Sequence, residues 1–408
     1  MHGSPPRKFN PHPFPYHAEF ELDITSLTNM GQGVGRMAGW VVMAPFVLPG
    51  EKVRVRVYRN HANYSDADLV EVLEPGPDRV EPFCPLFGTC GGCQYQHIRY
   101  ESELDWKGRQ IGELLERMAG VASKVDPVIP SPRAHGYRSK LTPHFSLPRK
   151  GRELAIGFLR VGSRHALVDV PQCPIATEGI NQALPELRED VRQRISSYKR
   201  GATLLLRDSP EGVLTSSDAV ASERVGDLVF RFPAGDFFQN NPFLLERLAG
   251  HVAEEASAGG GRHLVDAYCG SGFFALAAAS RFESVAGVEV SERAIDWAQR
   301  NAEANGIGNC RFQAGDAASI FDGIDFVGGE SAVVVDPPRK GCGQEFLDQL
   351  FAFGPGRVVY VSCNPATQMR DLTRFRESGY ELLRVQPFDL FPRTKHVECV
   401  MTLARASA

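Results

Sequence analysis

From Asn240 onward the sequence alternates apolar, strand-like runs with helical ones. The clearest unit is residues 263–272, an apolar strand that enters a tight glycine turn and is followed by an alanine-rich helical stretch at residues 273–281. A second strand, residues 285–290, carries Glu289 close to its end. Such alternation is typical of a doubly wound parallel sheet, whose ligands bind at the carboxyl ends of the strands. We therefore predict an α/β chain with a Rossmann-like C-terminal domain.

The glycine turn and the acid of the second strand fit two cofactors. Glycines let a cofactor approach the backbone, and an acid at the tip of the second strand can bind ribose hydroxyls, in a nicotinamide dinucleotide or in S-adenosylmethionine. The motif Asp336-Pro337-Pro338-Arg339 at the fourth strand fits a methyltransferase and has no place in a nicotinamide-binding fold. Asp316, after the third strand, lies where it could meet an adenine amino group. The sequence therefore favours S-adenosylmethionine.

The stretch at residues 359–367 reads as a buried strand that stops at Cys363 and breaks at Asn364-Pro365. A free cysteine is often a buried structural residue, so the thiol alone decides nothing. Two other motifs favour chemistry: the one that begins at Asp336, and the C-terminal stretch at residues 395–400, which contains Glu398. A thiol and a carboxyl group at one sheet edge suit a nucleophile and a general base.

Near the N-terminus, residues 18–73 alternate apolar and polar side chains at period two, which indicates strands. The run at residues 31–36 and the pair Pro49-Gly50 indicate turns between them. No helical pattern follows the glycine run, so it is not a dinucleotide fingerprint. We predict a five-stranded barrel of the OB type. The segment resembles a TRAM domain, which implies RNA binding, although a barrel with a purely structural role is the alternative.

A loop rich in glycine and proline holds Cys84, Cys90 and Cys93 with the spacing C-x5-C-x2-C, and Cys173 is a fourth candidate ligand. The chain has nine cysteines, an odd number that indicates reduced thiols, metal ligands or catalysis before disulfides. Four thiolates can enclose a 4Fe-4S cluster. Zinc is the alternative metal, although its sites usually contain paired knuckles, and a loop without any metal is the third possibility. The spacing favours the iron-sulfur cluster.

Basic residues are concentrated between Ser131 and His165, where eight Lys or Arg accompany one acid, Glu153, in a chain of net charge -4. Such a run is usually a solvated face, but its density and its interleaved aromatic residues suit an RNA partner. No apolar run approaches the roughly 20 residues of a membrane-spanning helix, and the start has no hydrophobic signal region. We expect a cytoplasmic monomer that binds RNA and no membrane. The basic residues are Arg133, Arg138, Lys140, Arg149, Lys150, Arg152, Arg160 and Arg164.

Together these motifs resemble the RNA (uracil-5-)-methyltransferase family, in its branch with a TRAM domain and an iron-sulfur cluster. The resemblance covers residues 16–403 and includes the four cysteines, residues 237–241 and the sequences around Cys363 and Glu398. It implies S-adenosylmethionine-dependent methylation of a uridine at C5, with Cys363 as the nucleophile that adds to C6 and Glu398 as the general base. The residues that it places around the cofactor are Gln239, Tyr268, Glu289, Asp316 and Asp336.

The resemblance also implies an aromatic partner for the target base, which is Phe237 here. At Phe273 the sequence departs from the many relatives that carry a cofactor-binding asparagine, so Phe273 is left out of the site. The resemblance implies three domains: a TRAM barrel at residues 16–75, a central α+β domain at 76–236 that holds the iron-sulfur cluster and binds RNA, and a methyltransferase domain at 237–408 with a seven-stranded, Rossmann-like sheet. By branch similarity the expected substrate is 23S ribosomal RNA, with transfer RNA as the alternative.

Two other activities compete with this interpretation. An amino-group methyltransferase acting on adenine or guanine needs an aromatic residue where Arg339 stands, and it gives Cys363 and Glu398 no task. A non-catalytic RNA-binding protein uses only the barrel and the basic run, and it leaves the candidate nucleophile and base unexplained. The sequence therefore favours an RNA uracil-5 methyltransferase over both.

Overall fold

The computed structural model describes residues 5–148, 153–316 and 319–406. By compactness the chain divides into two units that are interleaved along the sequence. The first comprises Met1–Gln110, Phe158–Val168 and Pro392–Lys395, and the second comprises Ile111–Gly157, Asp169–Phe391 and His396–Ala408. The three-domain division stays a prediction. Within the described ranges, no helix combines the length and the apolar character needed to span a membrane.

The first unit contains a closed five-stranded barrel with the strand order β1-β2-β3-β5-β4. Its strands are β1 (Glu19–Leu27), β2 (Gln32–Met37), β3 (Trp40–Pro45), β4 (Lys52–Asn60) and β5 (Tyr64–Glu74). Alternate residues of each strand point inward, as the period-two pattern predicts. The OB-type barrel is thereby confirmed. Its buried core consists of Leu22, Ile24, Val42, Ala44, Val47, Val53, Val55, Val57 and Ala67.

The glycine run at residues 31–36 lies mostly within β2, so its interpretation as a turn was wrong. Glycine is needed there for packing. A Cβ atom on Gly35 would lie 2.5 Å from the carbonyl oxygen of Asp23, and one on Gly33 would overlap the side chain of Val47. The closed barrel brings these neighbours so near that β2 has no room for side chains at the two positions.

Between the barrel and Asn240, the described residues form two α-helices and several short antiparallel strands. The helices are α1 (Tyr100–Ala119) and α2 (Glu178–Gln193), and a 3-10 helix follows α2 at Ile195–Ser197. β11 pairs with β6 and β12, β7 pairs with β8 and β10, and β13 pairs with β14. The strands are β6 (Lys140–Leu141), β7 (His144–Phe145), β8 (Ile156–Leu159), β9 (Leu167–Asp169), β10 (Ala202–Thr203), β11 (Leu206–Ser209), β12 (Gly212–Leu214), β13 (Val220–Val225) and β14 (Leu228–Pro233).

A seven-stranded sheet with the order β17-β16-β15-β18-β19-β21-β20 dominates the second unit. Its strands are β15 (His263–Ala267), β16 (Ser284–Glu289), β17 (Cys310–Ala314), β18 (Ser331–Val335), β19 (Arg357–Ser362), β20 (Tyr380–Phe388) and β21 (Glu398–Arg405). β21 runs antiparallel to both of its neighbours, β19 and β20, and the other neighbouring pairs are parallel. This confirms the predicted α/β fold.

Helices cover both faces of this sheet. They are α3 (Leu245–Ser257), α4 (Phe273–Ala278), α5 (Glu292–Ala304), α6 (Gln344–Phe353) and α7 (Pro365–Glu377), with 3-10 turns at Pro242–Leu244, Ala279–Arg281 and Gly328–Glu330. In β18, Val334 packs into the core formed with α3, α4 and α5, whereas Val333 and Val335 pack into the core formed with α6 and α7. A strand covered on both faces is apolar throughout, and its ends alone remain available for polar chemistry.

Candidate active site

Antiparallel pairing brings Cys363 and Glu398 together. Ser362, the last residue of β19, lies opposite Cys399, the second residue of β21. One further step in the same register places Cys363 opposite Glu398, because partners in an antiparallel ladder change by one in opposite directions. Pro365 then starts α7 and ends the strand directly after the thiol. The predicted nucleophile and base therefore share one edge of the sheet.

Asp336 lies at the same edge of the sheet as Cys363 and Glu398, because it follows β18, the strand next to β19. The three side chains are ionisable groups that affect one another. Burial raises the pKa of Asp336 to about 7. Burial, and then the charge of Asp336, raise the pKa of Glu398 well above its usual range. Burial first and the charge of Glu398 second raise the pKa of Cys363 to about 11. In the free protein at neutral pH the thiol is therefore protonated, and its activation needs help.

Arg339 supplies such help, and the sequence analysis missed it as a site residue. Its charge and a hydrogen bond from its side chain lower the pKa of Cys363, and its charge also lowers the pKa of Glu398. Its backbone oxygen accepts hydrogen bonds from Nδ2 of Asn364 at 2.9 Å and from Oγ1 of Thr367 at 3.3 Å. The residues that follow the nucleophile thus fix this arginine beside it. The available signal was its place at the end of the Asp-Pro-Pro-Arg motif.

The glycine turn after β15 has the geometry of a cofactor site. Tyr268, Gly270 and Gly272 have φ values of 65°, 53° and 89°, and a Cβ atom on Gly270 would meet nothing within 4 Å. The Glu289 carboxylate accepts hydrogen bonds from the backbone N–H of Gly270 at 3.3 Å and of Ser291 at 3.2 Å. A left-handed backbone at a residue other than glycine is strained, and such strain is concentrated at functional sites. The open backbone at Gly270 and the hydrogen-bonded Glu289 carboxylate beside it suit the binding of an adenosyl cofactor.

The remaining predicted cofactor residues lie on segments farther along the chain. Asp316 is exposed after the edge strand β17, and its carboxylate accepts a hydrogen bond from Oγ of Ser319 at 3.0 Å. Gln239 is buried and follows Phe238, whose ring lies 5.6 Å from that of Phe273 at the start of α4. This contact places the Gln239 segment beside the glycine turn. The contacts of these residues with a cofactor stay predictions.

Phe273 and Phe237 have opposite environments. Phe273 is buried, and its ring lies 5.7 Å from that of Phe230 in the aromatic core beside α4. Packing therefore accounts for a phenylalanine at the position where many relatives carry asparagine. Phe237 is 76% exposed, which is unusual for a large apolar side chain and leaves one face free to stack on a base.

The four cysteines predicted as cluster ligands are all half-buried. Burial raises the pKa of Cys90, and the charge of Cys84 raises it further, so these two thiols are near each other. However, no group of three or more His, Cys, Asp or Glu side chains in residues 5–148, 153–316 and 319–406 is placed to hold a metal ion. This arrangement gives the cluster no support, and no reaction step is assigned to it.

The basic run is only partly a candidate for RNA binding. Three of its members lie outside the described residues: Arg149, Lys150 and Arg152. Lys140 is turned inward, since its Nζ donates hydrogen bonds to the backbone oxygens of Gly235 at 2.8 Å and Asp236 at 3.0 Å. Lys140 was therefore wrongly grouped with residues that would contact phosphates.

Comparison with known proteins gives consistent results. A family model described as tRNA (Uracil-5-)-methyltransferase matches residues 204–406, and a TRAM domain model matches residues 18–70. A tRNA (uracil(54)-C(5))-methyltransferase of Schizosaccharomyces pombe is 40% identical over 419 residues, which cover 96% of this chain and 79% of that protein. The Saccharomyces cerevisiae protein of the same description is 32% identical, with 96% and 74% covered.

A solved structure also resembles most of the chain. It is the crystal structure of Pyrococcus abyssi tRNA (uracil-54, C5)-methyltransferase in complex with S-adenosyl-L-homocysteine. The TM-score is 0.72 at 25% sequence identity, with 94% of this chain and 100% of that chain covered. The likeness therefore extends over both the barrel and the large sheet.

Proposed function

The chain belongs to the RNA (uracil-5-)-methyltransferase family, and we propose that its substrate is the uridine at position 54 of transfer RNA. It is an S-adenosylmethionine-dependent enzyme that methylates uracil at C5 in RNA. The proposal of transfer RNA is supported by the names of the yeast relatives and of the archaeal structure. Our sequence-based preference for 23S ribosomal RNA finds no support in these names.

The pairing of Cys363 with Glu398 carries the proposed mechanism. S-adenosylmethionine supplies an electrophilic methyl group, but C5 of uracil is a poor nucleophile. The Cys363 thiolate adds to C6, and the C5=C6 π electrons move into an enolate whose C5 then takes the methyl group, while the bond between the methyl group and the cofactor sulfur breaks and S-adenosyl-L-homocysteine leaves. The Glu398 carboxylate removes the C5 proton, the C5=C6 double bond forms again, and the C6–S bond breaks. Cys363 leaves as a thiolate, and Glu398 keeps the proton.

The target base must leave the helical stack before this chemistry, because the thiolate attacks C6 from the face of the ring. Phe237 is proposed to stack on the uracil once it is exposed, since aromatic side chains bind unstacked bases in this way. The residues proposed to contact the cofactor are Gln239, Tyr268, Glu289, Asp316 and Asp336.

Methylation of defined transcripts tests the substrate. We expect 5-methyluridine to form in an unmodified transfer RNA transcript at uridine 54, the position that the names of the relatives specify. A transcript with cytidine at that position is the matched control and should take up no methyl group. A fragment of 23S ribosomal RNA, assayed beside them, should also stay unmethylated. Methylation of the ribosomal fragment alone, or equal methylation of both transfer RNA transcripts, would overturn the proposal.

Replacing Arg339 by methionine should slow the addition of Cys363 to uracil. Loss of the guanidinium raises the pKa of Cys363 above its value of about 11, and the thiolate fraction falls about tenfold for each unit. The addition rate should rise with pH in both proteins, because the thiolate is the reacting form. In the variant it should be lower at every pH below the pKa of the thiol. Covalent adduct formation with 5-fluorouridine RNA, measured at several pH values, reports this step.

The controls for this prediction are Arg339→Lys, which keeps a cation, and Lys340→Met at the adjacent exposed position. The first should recover part of the rate, and the second should behave like the unaltered protein. A variant that adds to uracil at the rate of the unaltered protein at every pH tested would show that Arg339 does not act on the thiol. Saturating RNA in every assay separates this effect from weaker RNA binding.

Two further parts of the proposal are based on sequence alone. The 4Fe-4S cluster is supported by the spacing of Cys84, Cys90 and Cys93 and by the distant Cys173. The three-domain division is supported by the change in pattern near residues 75 and 236. Neither is needed for the mechanism, which uses residues of the large sheet.

A further inference from the structure

Lys140, at the start of β6, holds the chain directly before Phe237. Its Nζ donates hydrogen bonds to two successive backbone oxygens, those of Gly235 at 2.8 Å and Asp236 at 3.0 Å. These carbonyl groups belong to the turn between β14 and the segment that carries Phe237. Because one ammonium group binds both oxygens, it restricts the backbone directly before Phe237, the residue that carries the exposed ring.

Arg207 holds the same segment at both ends, and Ser139 holds it at the far end. Arg207 Nη2 donates to the backbone oxygen of Asp236 at 3.2 Å, and its Nη1 donates to Oδ1 of Asn240 at 3.4 Å. The backbone N–H and the Oγ of Ser139 donate to the backbone oxygen of Asn240 at 2.8 and 3.2 Å. Residues 236–240 are therefore fixed at both ends by side chains from β6, β11 and the residue before β6.

The middle of the segment is fixed by stacking. The ring of Phe238 is parallel to that of Phe232, with centroids 4.2 Å apart and an interplanar angle of 10°. The guanidinium of Arg207 lies 5.2 Å from the centroid of the Phe232 ring, so the same cation supports this stack. Phe238 is buried, while its neighbour Phe237 extends into solvent. The segment thus presents a single large ring from an anchored backbone.

Arg207 is buried and Lys140 is half-buried, so both cations are at least partly removed from water. Arg207 is 2% exposed, and its Nε has no hydrogen-bond partner among the described residues. Burial, with the charge of Arg207 as a second cause, lowers the pKa of Lys140 to about 8. Taking a cation out of water is unfavourable unless its charge and its donors are satisfied, and the charge of Glu223 favours the charged form of Arg207. Here their shared target is the backbone around Phe237.

We infer that Lys140, together with Arg207, is a positioning residue that fixes Phe237 for stacking on the target uracil. This inference rests on the proposed function, in which Phe237 is the partner of the base. An aromatic ring on a fixed backbone loses little freedom when a base stacks on it, and it holds that base in one place relative to the nucleophile. A freely moving ring would bind the base in many orientations.

A double-mutant cycle between Lys140→Met and Phe237→Ala tests the inference. Methionine keeps the length of lysine but cannot donate to Gly235 and Asp236. We expect single-turnover methylation of transfer RNA to fall about tenfold to a hundredfold, the scale on which misplacement of a reacting group acts. In the Phe237→Ala background the same replacement should have little further effect on the rate, because both replacements impair the same function. Lys140→Arg should recover much of the rate.

Lys199→Met, at an exposed lysine outside these contacts, is the matched control and should keep the full rate. If Lys140→Met does not fold, Asn240→Ala takes its place in the cycle, since it releases the Arg207 end of the segment. The inference would be overturned if the rate losses of the two single variants multiplied in the double variant. It would also be overturned if Lys140→Met kept the full rate. A normal rate in Phe237→Ala alone would instead contradict the proposed role of Phe237 in base stacking.

Discussion

Replacement of Cys363 by alanine is expected to abolish methyl transfer while S-adenosylmethionine binds as before. The thiol is proposed to act on C6 of the base, and the proposed cofactor residues around the glycine turn and Glu289 lie on other strands of the sheet. Loss of a nucleophile costs on the order of 10⁴-fold or more in other covalent enzymes. Turnover is measured by transfer of a labelled methyl group to RNA, and cofactor affinity by calorimetric titration.

Cys310→Ala is the matched control, because Cys310 is also a half-buried free cysteine but lies on the edge strand β17. It should keep full activity and form the covalent adduct with 5-fluorouridine RNA. The Cys363 variant should form none. If that variant still methylated RNA at a substantial rate, the reaction would proceed without addition to C6, and the mechanism proposed here would be wrong.

Local sequence patterns were sufficient for the architecture. Alternation at period two predicted the barrel, and the succession of apolar runs and helices predicted a doubly wound sheet, although the strand β20 was not identified. Each pattern reflects which side chains are buried, and burial is set locally by the type of element. The motifs around Tyr268, Asp336 and Cys363 could be placed for the same reason, since each comes directly after an apolar run.

Long-range pairing was not accessible from the sequence. Glu398 reaches Cys363 only because β21 inserts antiparallel between β19 and β20, with Ser362 opposite Cys399. No local pattern specifies that register. Arg339 was overlooked for a related reason, as its place depends on hydrogen bonds from Asn364 to its backbone. A motif indicates which residues are present, whereas the tertiary structure decides which of them meet.

Charge and glycine patterns were the least reliable guides. Lys140 appeared in a basic run that resembled an RNA-binding face, yet its ammonium group is used on backbone oxygens of the same chain. Gly33 and Gly35 resembled turn residues, yet they lie inside β2 where the barrel leaves no space for a Cβ atom. In each case the residue type showed that the position was special, but contacts with residues distant in sequence decided what the residue does there.

Replacement of Glu398 by glutamine should stop the reaction after methyl transfer and before release of the RNA. Glutamine has nearly the same shape, so it fits the buried position of Glu398, which is 2% exposed. It cannot accept the C5 proton, and without proton removal the C6–S bond has no route to break. A lost general base typically reduces turnover by about 10²- to 10⁴-fold. A covalent species of protein and ordinary methylated RNA should therefore accumulate, visible as a shifted band on a denaturing gel.

The position of Glu398 makes this outcome specific to the last step. Its carboxyl group raises the pKa of Cys363, so the amide removes a negative charge beside the thiol and should favour the thiolate. Addition to C6 should then be as fast as in the unaltered protein, or faster, while elimination fails. Glu381→Gln, at an exposed position on β20, is the control and should turn over normally without an accumulated adduct. If the Glu398 variant formed no adduct at all, the carboxyl group would be needed before or during the addition and not as the final base. It could then be the group that takes the proton of the thiol.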